Sequence, residues 1–357
     1  KWIVLRKRFK REKEKQGAKR DGFHLVSVRI LLLNLLQNDK TMNRRQFSKT
    51  AGLGTLGAAV GAAAFQARTA RSEPGEEIID IHQHVNFHAR SNEEFIAHQK
   101  KMGVTKTVLL PSGSALSRVS TDIGKSNGLA ARVFGTFAAA RLAKAHPEFF
   151  AFFCNEIPDV DGADMGMEKW LENGAVGIGE QKFNLECDSA PMIRLYEVAS
   201  AYEVPFLLHF QHEAYNKGFD RFHKILERFP KVNFIGHAQT WWGNIDAKHV
   251  QKDMYPKTKV TPGGITDRYL ADYPNMFGDL SAGSGKNALD RDEEHAVAFL
   301  ERHQDKLMLG TDCADTVGEG GKCSGSGQIA NVMQFVSDPE IRTKILSGNA
   351  KRIIKLG

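Results

Sequence analysis

Eight short β-rich segments alternate with helical patterns from Glu77 to the C-terminus, and this alternation limits the fold more than any other feature. Such alternation is typical of βα units, whose strands run parallel. Eight units in roughly 280 residues match the size of a TIM barrel, although a doubly wound sheet alternates in the same way. The predicted strands are Glu77–His82, Lys106–Leu110, Phe149–Cys154, Ala175–Gly179, Pro205–Phe210, Val232–His237, Met276–Leu280 and Lys306–Thr311. The longer predicted helices include Asp122–Ala143, Ala190–Tyr202, Phe219–Phe229, Gln328–Val336 and Pro339–Lys355. We therefore expect an α/β chain with a (β/α)8 barrel over residues 76–357.

Histidine and aspartate residues stand at the carboxyl ends of several predicted strands, where the active sites of TIM barrels lie. His82 and His84 end the first strand, and side chains two residues apart on a strand point the same way. His209, His237 and Asp312 stand at the ends of the fifth, sixth and eighth strands. Imidazole and carboxylate groups suit Zn²⁺ and other first-row divalent ions. One strand-end histidine is more often a satisfied core residue, but the joint pattern predicts a metal centre at the barrel mouth.

The ordered motifs IDIHQH, GIGEQKF, LLHF, FIGHA, LMLGTDC and GNAKRIIKL resemble the amidohydrolase superfamily, and most closely its amidohydrolase-related branch, amidohydrolase family 2. The resemblance covers nearly all of residues 77–357. It implies that His82, His84 and His209 are metal ligands. It also implies that Asp312 is a ligand that takes a proton from the activated water. His237 is implied either as a ligand of a second metal or as a neutral electrophilic group near the substrate.

The resemblance makes Glu180 the residue that decides the number of metal ions. Glu180 stands at the end of the fourth predicted strand, where binuclear members of the superfamily carry a bridging Lys or Glu. A bridge there brings His209 and His237 onto a second ion, whereas the decarboxylase-like branch usually has no ligand at this position. The alternative without a second metal is an ion pair between Glu180 and Lys182 or another base. We expect Zn²⁺, with Mn²⁺ or another first-row ion as the alternative, and leave one or two ions open.

The expected function is hydrolysis of a C–O or C–N bond in a small lactone, ester or amide. A divalent metal lowers the pKa of water to about 7 and polarises a substrate oxygen. The alternative is decarboxylation of an aromatic or unsaturated acid, since the same branch includes metal-dependent decarboxylases. That reaction requires Arg291 or Lys182 to hold the substrate carboxylate. A third interpretation is a non-catalytic exported metal-binding protein.

Other positions carry weaker signals. Lys182, His212 and Trp241 are candidate substrate contacts, although a loop position explains His212 and core or interface packing explains Trp241 about as well. Asp80 is either an orienting partner of a ligand imidazole or a buried structural carboxylate. The run Gly318–Gly327 is predicted to be a flexible lid.

Two further pairs of residues stand near the ends of the last strands. Asp279 and Ser281 near the seventh strand face the mouth but have no task that the sequence assigns. Cys313 and Cys323 follow the eighth strand and are expected to be isolated thiols, with a disulfide as the alternative in an oxidising compartment.

Residues 42–70 have the layout of an export signal. Arg44 and Arg45, then Phe47 and Lys49, precede a weakly apolar Gly/Ala-rich stretch at 51–67. The pattern resembles a twin-arginine signal, so we expect contact with the twin-arginine translocation machinery and an exported, periplasmic protein. An uncleaved anchor is the alternative. Residues 1–41 begin without Met, and we interpret them as an upstream translated or disordered segment.

The net charge of +7 comes from this N-terminal part. Residues 1–70 hold 16 Lys/Arg and 4 Asp/Glu, which leaves 33 and 38 in residues 71–357 and a net charge of −5 there. A nucleic-acid partner requires a basic face, which the charge of the barrel does not supply. The expected partner is a small-molecule substrate, and a homo-oligomer is left open.

Overall fold

Eight parallel strands organise the described part of the chain, which in the computed structural model comprises residues 76–113, 128–129, 133–320 and 323–356. The predicted segments 1–41 and 42–70 lie outside the described residues. Within the described ranges, every helix is too short or too polar to cross a membrane.

The strands are β1 (Ile79–Gln83), β2 (Lys106–Leu109), β3 (Phe150–Phe152), β4 (Ile178–Gln181), β5 (Phe206–His209), β6 (Phe234–His237), β7 (Met276–Asp279) and β8 (Leu307–Met308). The α-helices are α1 (Asn92–Lys101), α2 (Thr136–Ala145), α3 (Ala163–Glu172), α4 (Ala190–Tyr202), α5 (His223–Arg228), α6 (Ala238–Gly243), α7 (Ile265–Asp272), α8 (Ala282–Asp290), α9 (Glu293–Arg302), α10 (Ser324–Phe335), α11 (Pro339–Thr343) and α12 (Asn349–Ile354). Short 3-10 helices occupy Phe87–Ala89 and Phe219–Arg221, and a π-helix occupies Lys344–Gly348.

The strands follow one another in the order of a (β/α)8 barrel. They form two parallel sheets, β1-β2-β3 and β4-β5-β6-β7-β8. A parallel bridge between Cys154 and Ile178 connects the end of β3 with β4. At the other join, Ile81 N donates to Leu309 O at 3.0 Å, next to β8. The predicted fold class, an α/β TIM barrel, is confirmed.

The interior of the barrel is filled by apolar side chains that nearly every strand supplies. Because parallel strands are covered on both faces, their sequences are almost continuously apolar. The inward-facing residues pack together with the last helix, α12. They are Ile79, Ile81, Val108, Leu110, Phe153, Leu207, Ile235, Phe277 and Met308. Strict alternation then turns His209 of β5 and His237 of β6 inward as well.

A β-bulge in β1 changes this alternation where the first histidines lie. Asp80 pairs with Thr107 and Gln83 pairs with Leu109, so β1 holds one residue more than β2 between the two pairs. Such an extra residue redirects the side chains that follow it. Since Ile79 and Ile81 already face inward, the bulge explains how His82 also reaches the barrel mouth. The register of β4 against β5 shifts in the same way between Ile178 and Gln181, around Glu180.

Several predicted helices differ from those observed. Within the described part of predicted helix Asp122–Ala143, helix begins only at Thr136, because extended Gly135 pairs with Ser112 beforehand. Predicted helices Phe219–Phe229 and Pro339–Lys355 are each divided by a 3-10 or π segment. Helix α8 was not predicted, since AGSGKNALD combines two glycines with weak apolar periodicity.

The sequence predicts a flexible lid over Gly318–Gly327, but the second half of this run is helical. Ser324 begins α10, and Cys323 caps that helix by accepting from Ser326 N through Sγ at 3.2 Å. Hydrogen bonding within the helix therefore orders the residues from Ser324 to Gly327.

Candidate metal centre

His82 of β1 and His84, directly after β1, meet two carboxylates at the barrel mouth. His82 Nε2 lies 3.3 Å from Glu180 Oε2 and 3.9 Å from Asp312 Oδ1. His84 Nε2 lies 3.4 Å from Glu180 Oε2 and 3.2 Å from Asp312 Oδ1. His82, His84 and Asp312 thus form a group of metal-ligand side chains, as do His82, Glu180 and His237.

The second oxygen of Glu180 faces the other two histidines. Glu180 Oε1 lies 2.6 Å from His209 Nδ1 and 3.6 Å from His237 Nε2. The structure therefore brings together all six side chains that the sequence nominated as metal ligands, with Glu180 between two histidine pairs. The bases that Glu180 contacts are these histidines, which the alternative of an ion pair with Lys182 or another base also allows.

Residues outside this group fix the orientation of its imidazoles. Asp279 Oδ2 accepts from His82 Nδ1 at 2.6 Å, and Leu110 O accepts from His84 Nδ1 at 2.6 Å. Ser281 Oγ lies 2.8 Å from His237 Nδ1 and donates to Asp279 Oδ2 at 2.8 Å. When Nδ1 carries the proton, Nε2 keeps its lone pair for a metal. These contacts give Asp279 and Ser281 the task that the sequence left unassigned.

The backbone allows these close approaches at two particular residues. A Cβ at Gly310 would lie 2.1 Å from Asp279 Oδ1, so only glycine leaves Asp279 its place against His82. Asp312 has a φ of 47°, in the left-handed region that favours glycine. Its backbone N donates to His82 O at 2.8 Å, which holds Asp312 beside β1. Backbone strain of this kind is concentrated at functional sites.

Burial and charge act in opposite directions on the titratable groups. Burial alone would lower the pKa of His82, but Asp279, Asp312 and Glu180 raise it well above its ordinary value. Burial alone would raise the pKa of Asp312, whereas His82 and His84 bring it down to about 2. Burial, reinforced by His82, holds the pKa of His237 well below its ordinary value. The centre therefore combines ionised carboxylates with imidazoles, a combination that attracts a cation.

Three buried polar atoms at the centre fit a divalent metal ion. His82 Nε2, His237 Nε2 and Asp312 Oδ1 have no hydrogen-bond partner among the described residues. Buried polar atoms are rarely left without one, because each loses its interaction with water. Divalent metal held by the two ligand groups, one with His82 and Asp312 and the other with His82 and His237, would satisfy these atoms. The residues present therefore suit the divalent metal that the sequence predicts.

The weaker sequence candidates lie at different distances from this centre. Lys182 Nζ lies 5.5 Å from the ring centroid of Tyr215, which in turn packs 5.6 Å from the ring of His209. The charge of Lys182 adds to burial in lowering the pKa of His209, so Lys182 borders the centre. His212 instead pairs with Glu213 at 3.6 Å and lines a cavity of about 200 Å³ outside the histidine group.

Three candidates have structural positions instead. Trp241 is 0% exposed and packs in the hydrophobic core, which corrects its assignment as a substrate contact. Arg291 lies 3.8 Å from Asp246 with its side chain 2% exposed, so it is held away from the mouth. Asp80 accepts from the backbone N of His82 and of Thr311, at 3.0 and 2.9 Å, and is a structural carboxylate.

We expect Asp279→Asn to weaken metal binding about 10- to 100-fold, because loss of a partner that orients a ligand imidazole has this effect. Competition with a chromogenic chelator measures the affinity. Asp267→Asn is a matched control, since Asp267 Oδ1 makes a similar 2.6 Å contact with His303 Nε2 outside the centre. Equal metal affinity in the two variants would contradict the orienting task of Asp279.

Solved structures with the same fold include two enzymes with different reactions. One is a 2,6-dihydroxybenzoate decarboxylase from Rhizobium, with 14% identity, 78% of this chain and 99% of that chain covered, and a TM-score of 0.51. Another is a probable 2-pyrone-4,6-dicarboxylic acid hydrolase from Acinetobacter baumannii, with 13% identity, 78% and 99% covered, and a TM-score of 0.51. A TIM-barrel protein from Bordetella bronchiseptica has 15% identity, 78% and 98% covered, and a TM-score of 0.53. At such identities the likeness is one of fold.

Sequence similarity is informative at the level of the family. No curated protein is similar enough in sequence to match the chain. The family model described as amidohydrolase (Amidohydro_2) matches residues 79–356, which is well over half of the chain and the whole of the barrel. The chain therefore belongs to the amidohydrolase family 2.

Proposed function

We propose that the chain is a metal-dependent hydrolase that cleaves a C–O or C–N bond in a small lactone, ester or amide. One observation carries the proposal: the two oxygens of Glu180 face two different histidine pairs, His82 with His84 and His209 with His237. A carboxylate in this position can bridge two ions. Two-ion centres of this kind occur in hydrolytic enzymes such as aminopeptidases and phosphatases.

The six side chains would form two metal-binding positions. His82, His84, Asp312 and Glu180 Oε2 would hold one divalent ion, and His209, His237 and Glu180 Oε1 would hold the other. Zn²⁺ suits this donor set, with Mn²⁺ as the alternative. A bound ion would supply Lewis acidity, which makes water a nucleophile near neutral pH and polarises the substrate oxygen.

Asp312 is the residue that moves the proton. Its Oδ1 is buried, carries no hydrogen bond and lies beside His84, while its side chain as a whole is 18% exposed. The carboxylate is ionised at neutral pH because its pKa is about 2. The carboxylate accepts the proton of the attacking water and passes it to the leaving oxygen or nitrogen. Asp279 and Ser281 meanwhile contact Nδ1 of His82 and of His237, so that the Nε2 atoms of both rings are directed at the other ligands.

Decarboxylation of an aromatic or unsaturated acid is the second candidate. The likeness to the decarboxylase from Rhizobium supports it at least as well as any comparison supports hydrolysis. Lys182 also supplies a cation beside the centre that a substrate carboxylate would require. The position of Glu180 is what favours hydrolysis.

Glu180→Ala separates the two reactions. We expect the variant to hold one metal ion fewer per chain than the wild type and to lose hydrolytic activity, because the bridge is gone. Elemental analysis gives the ion count. Product assays on a panel of lactones, esters, amides and hydroxybenzoates give the reaction.

The matched control is Glu301→Ala, an exposed glutamate on α9. It should keep the ion count and activity of the wild type. If Glu180→Ala retains every ion, and the wild type releases CO₂ from a hydroxybenzoate while leaving the other compounds intact, the hydrolase proposal is wrong and the decarboxylase replaces it.

A further inference from the structure

A second group of metal-ligand side chains lies outside the metal centre. His98 comes from α1, Cys313 and Asp315 from the loop after β8, and Cys323 from the residue that caps α10. We call these four residues the His98 cluster. Their ligand atoms all lie within 4.8 Å of one another. His98, Cys313 and Cys323 are at most 2% exposed, and the side chain of Asp315 is 27% exposed.

The distances within the His98 cluster match the edges of a tetrahedron around zinc. Zn–S bonds of about 2.3 Å and Zn–N and Zn–O bonds of about 2.0–2.1 Å give edges of roughly 3.8 Å for S–S, 3.6 Å for N–S and 3.3 Å for N–O. The observed separations are 3.7 Å between the two Sγ atoms and 3.5 Å from Cys323 Sγ to His98 Nε2. His98 Nε2 lies 3.4 Å from Asp315 Oδ1. All three agree with one ion at the middle of the cluster.

A disulfide requires a different arrangement. The S–S bond is about 2.05 Å long, so the two sulfurs of Cys313 and Cys323 would have to move much closer together. A disulfide would also leave His98 and Asp315 without a reason to converge on the sulfurs. The observed separation and the two additional ligand types favour a metal.

The surroundings of the cluster hold its residues in place. Asp315 Oδ1 accepts from the backbone N of Val317 and of Gly318 at 2.7 and 3.1 Å, and Cys313 Sγ donates to Asp315 Oδ2 at 3.0 Å. Arg90 Nη1 donates to Cys313 O at 3.0 Å and to Asp315 O at 2.8 Å, which uses both of its hydrogens. His98 Nδ1 lies 3.5 Å from Arg90 Nη1, and His98 Nε2 faces Cys323 Sγ and Asp315 Oδ1. The backbone N of Ser326 donates to Cys323 Sγ at 3.2 Å, at the N-terminus of α10.

We propose that His98, Cys313, Asp315 and Cys323 bind a structural Zn²⁺, separate from the ion or ions of the metal centre. Sites with four protein ligands and no open position are structural, whereas catalytic zinc sites keep a position for water or substrate. The bound ion would tie the loop after β8, which carries Asp312, to α1. Its effect is therefore to fix the loop that brings Asp312 to the barrel mouth.

The proposal is tested by comparing the zinc content per chain of the purified full-length wild type with that of two variants. We expect Cys323→Ser to hold one Zn²⁺ fewer per chain than the wild type. Cys187→Ser is the matched control, because Cys187 is also buried but lies far along the chain, against Gly218 O at 3.3 Å. It should retain the zinc content of the wild type.

Reconstitution with Co²⁺ gives a spectroscopic readout that does not depend on activity. Thiolate-bound Co²⁺ absorbs strongly in the near ultraviolet through charge transfer from sulfur. We expect this band in the wild type, in Cys187→Ser and in Glu180→Ala, and its loss in Cys323→Ser. The band thus reports on the His98 cluster, while the ion count of Glu180→Ala reports on the metal centre.

Three results would overturn the proposal. The first is an unchanged zinc content in Cys323→Ser. The second is a wild type without the Co²⁺ band. The third is a wild-type chain in which, after denaturation and chelation, only two of the four cysteines react with a thiol reagent, because that marks a disulfide. The last two measurements use the wild type alone, so they decide the matter even if Cys323→Ser does not fold.

Discussion

Asp312→Asn is expected to lower kcat by about 10²- to 10⁴-fold on any compound that the wild type hydrolyses, the usual contribution of a positioned general base. Asparagine has nearly the same size, but its amide cannot accept a proton at neutral pH. Asp312 is suited to act as the base because its Oδ1 is buried, has no hydrogen-bond partner among the described residues and lies 3.2 Å from His84 Nε2. Steady-state kinetics of metal-loaded enzyme measure the effect.

The metal content has to be measured on the same preparations, because Asp312 is also a proposed ligand. Dividing kcat by the fraction of loaded chains separates loss of the base from loss of the ion. Asp305→Asn, an aspartate 65% exposed that pairs with Lys344, is the control and should keep wild-type kinetics. A fully loaded Asp312→Asn enzyme with a kcat within a few-fold of the wild type would exclude Asp312 as the proton acceptor.

The sequence predicted best those residues whose place in the barrel follows from the local strand pattern alone. A parallel strand that ends at the barrel mouth delivers its last inward residue there, whatever the rest of the chain does. His209 and His237 need nothing more than this, and the ends of β5 and β6 agree with the prediction to within one residue on that side. The strand count, and with it the fold class, follows from the same alternation.

The partners of the ligands could not be predicted in this way. Asp279 is two residues from Ser281 in sequence but 197 residues from His82, and its 2.6 Å contact depends on how the β7–β8 edge of one sheet meets β1 of the other. The bulge in β1 is equally hidden, because the sequence IDIHQH is compatible with plain alternation. A side-chain contact between distant strands depends on the register of the barrel. That register cannot be inferred from a short stretch of sequence.

The His98 cluster was missed for a similar reason. The sequence places Cys313 and Cys323 in one Gly-rich run and leaves only a choice between free thiols and a disulfide. His98 lies on α1, more than 200 residues earlier, and nothing in its sequence neighbourhood points to sulfur. Only the packing of α1 against the loop after β8 brings His98 to the two cysteines and Asp315.

Replacement of Trp241 should cost much of the stability of the fold. Its indole is 0% exposed, packs 5.7 Å from the ring of Phe219 and fills space that two strands leave open. A Cβ at Gly236 of β6 would lie 2.3 Å from this indole, and one at Gly278 of β7 would lie 3.4 Å from it. Trp241→Ala would leave a cavity behind the strands that carry His237 and Asp279. We expect the free energy of unfolding to fall by about 3–5 kcal/mol, measured by urea denaturation.

Trp170→Ala is the matched control, because Trp170 on α3 is only partly buried and packs at the edge of the core. The same truncation should cost less there, since fewer contacts are lost and solvent can fill the space. Trp241→Ala should also leave KM unchanged, because the core position keeps the indole away from substrate. A variant with wild-type stability and a raised KM would indicate that Trp241 contacts the substrate. It would contradict the place of Trp241 in the core.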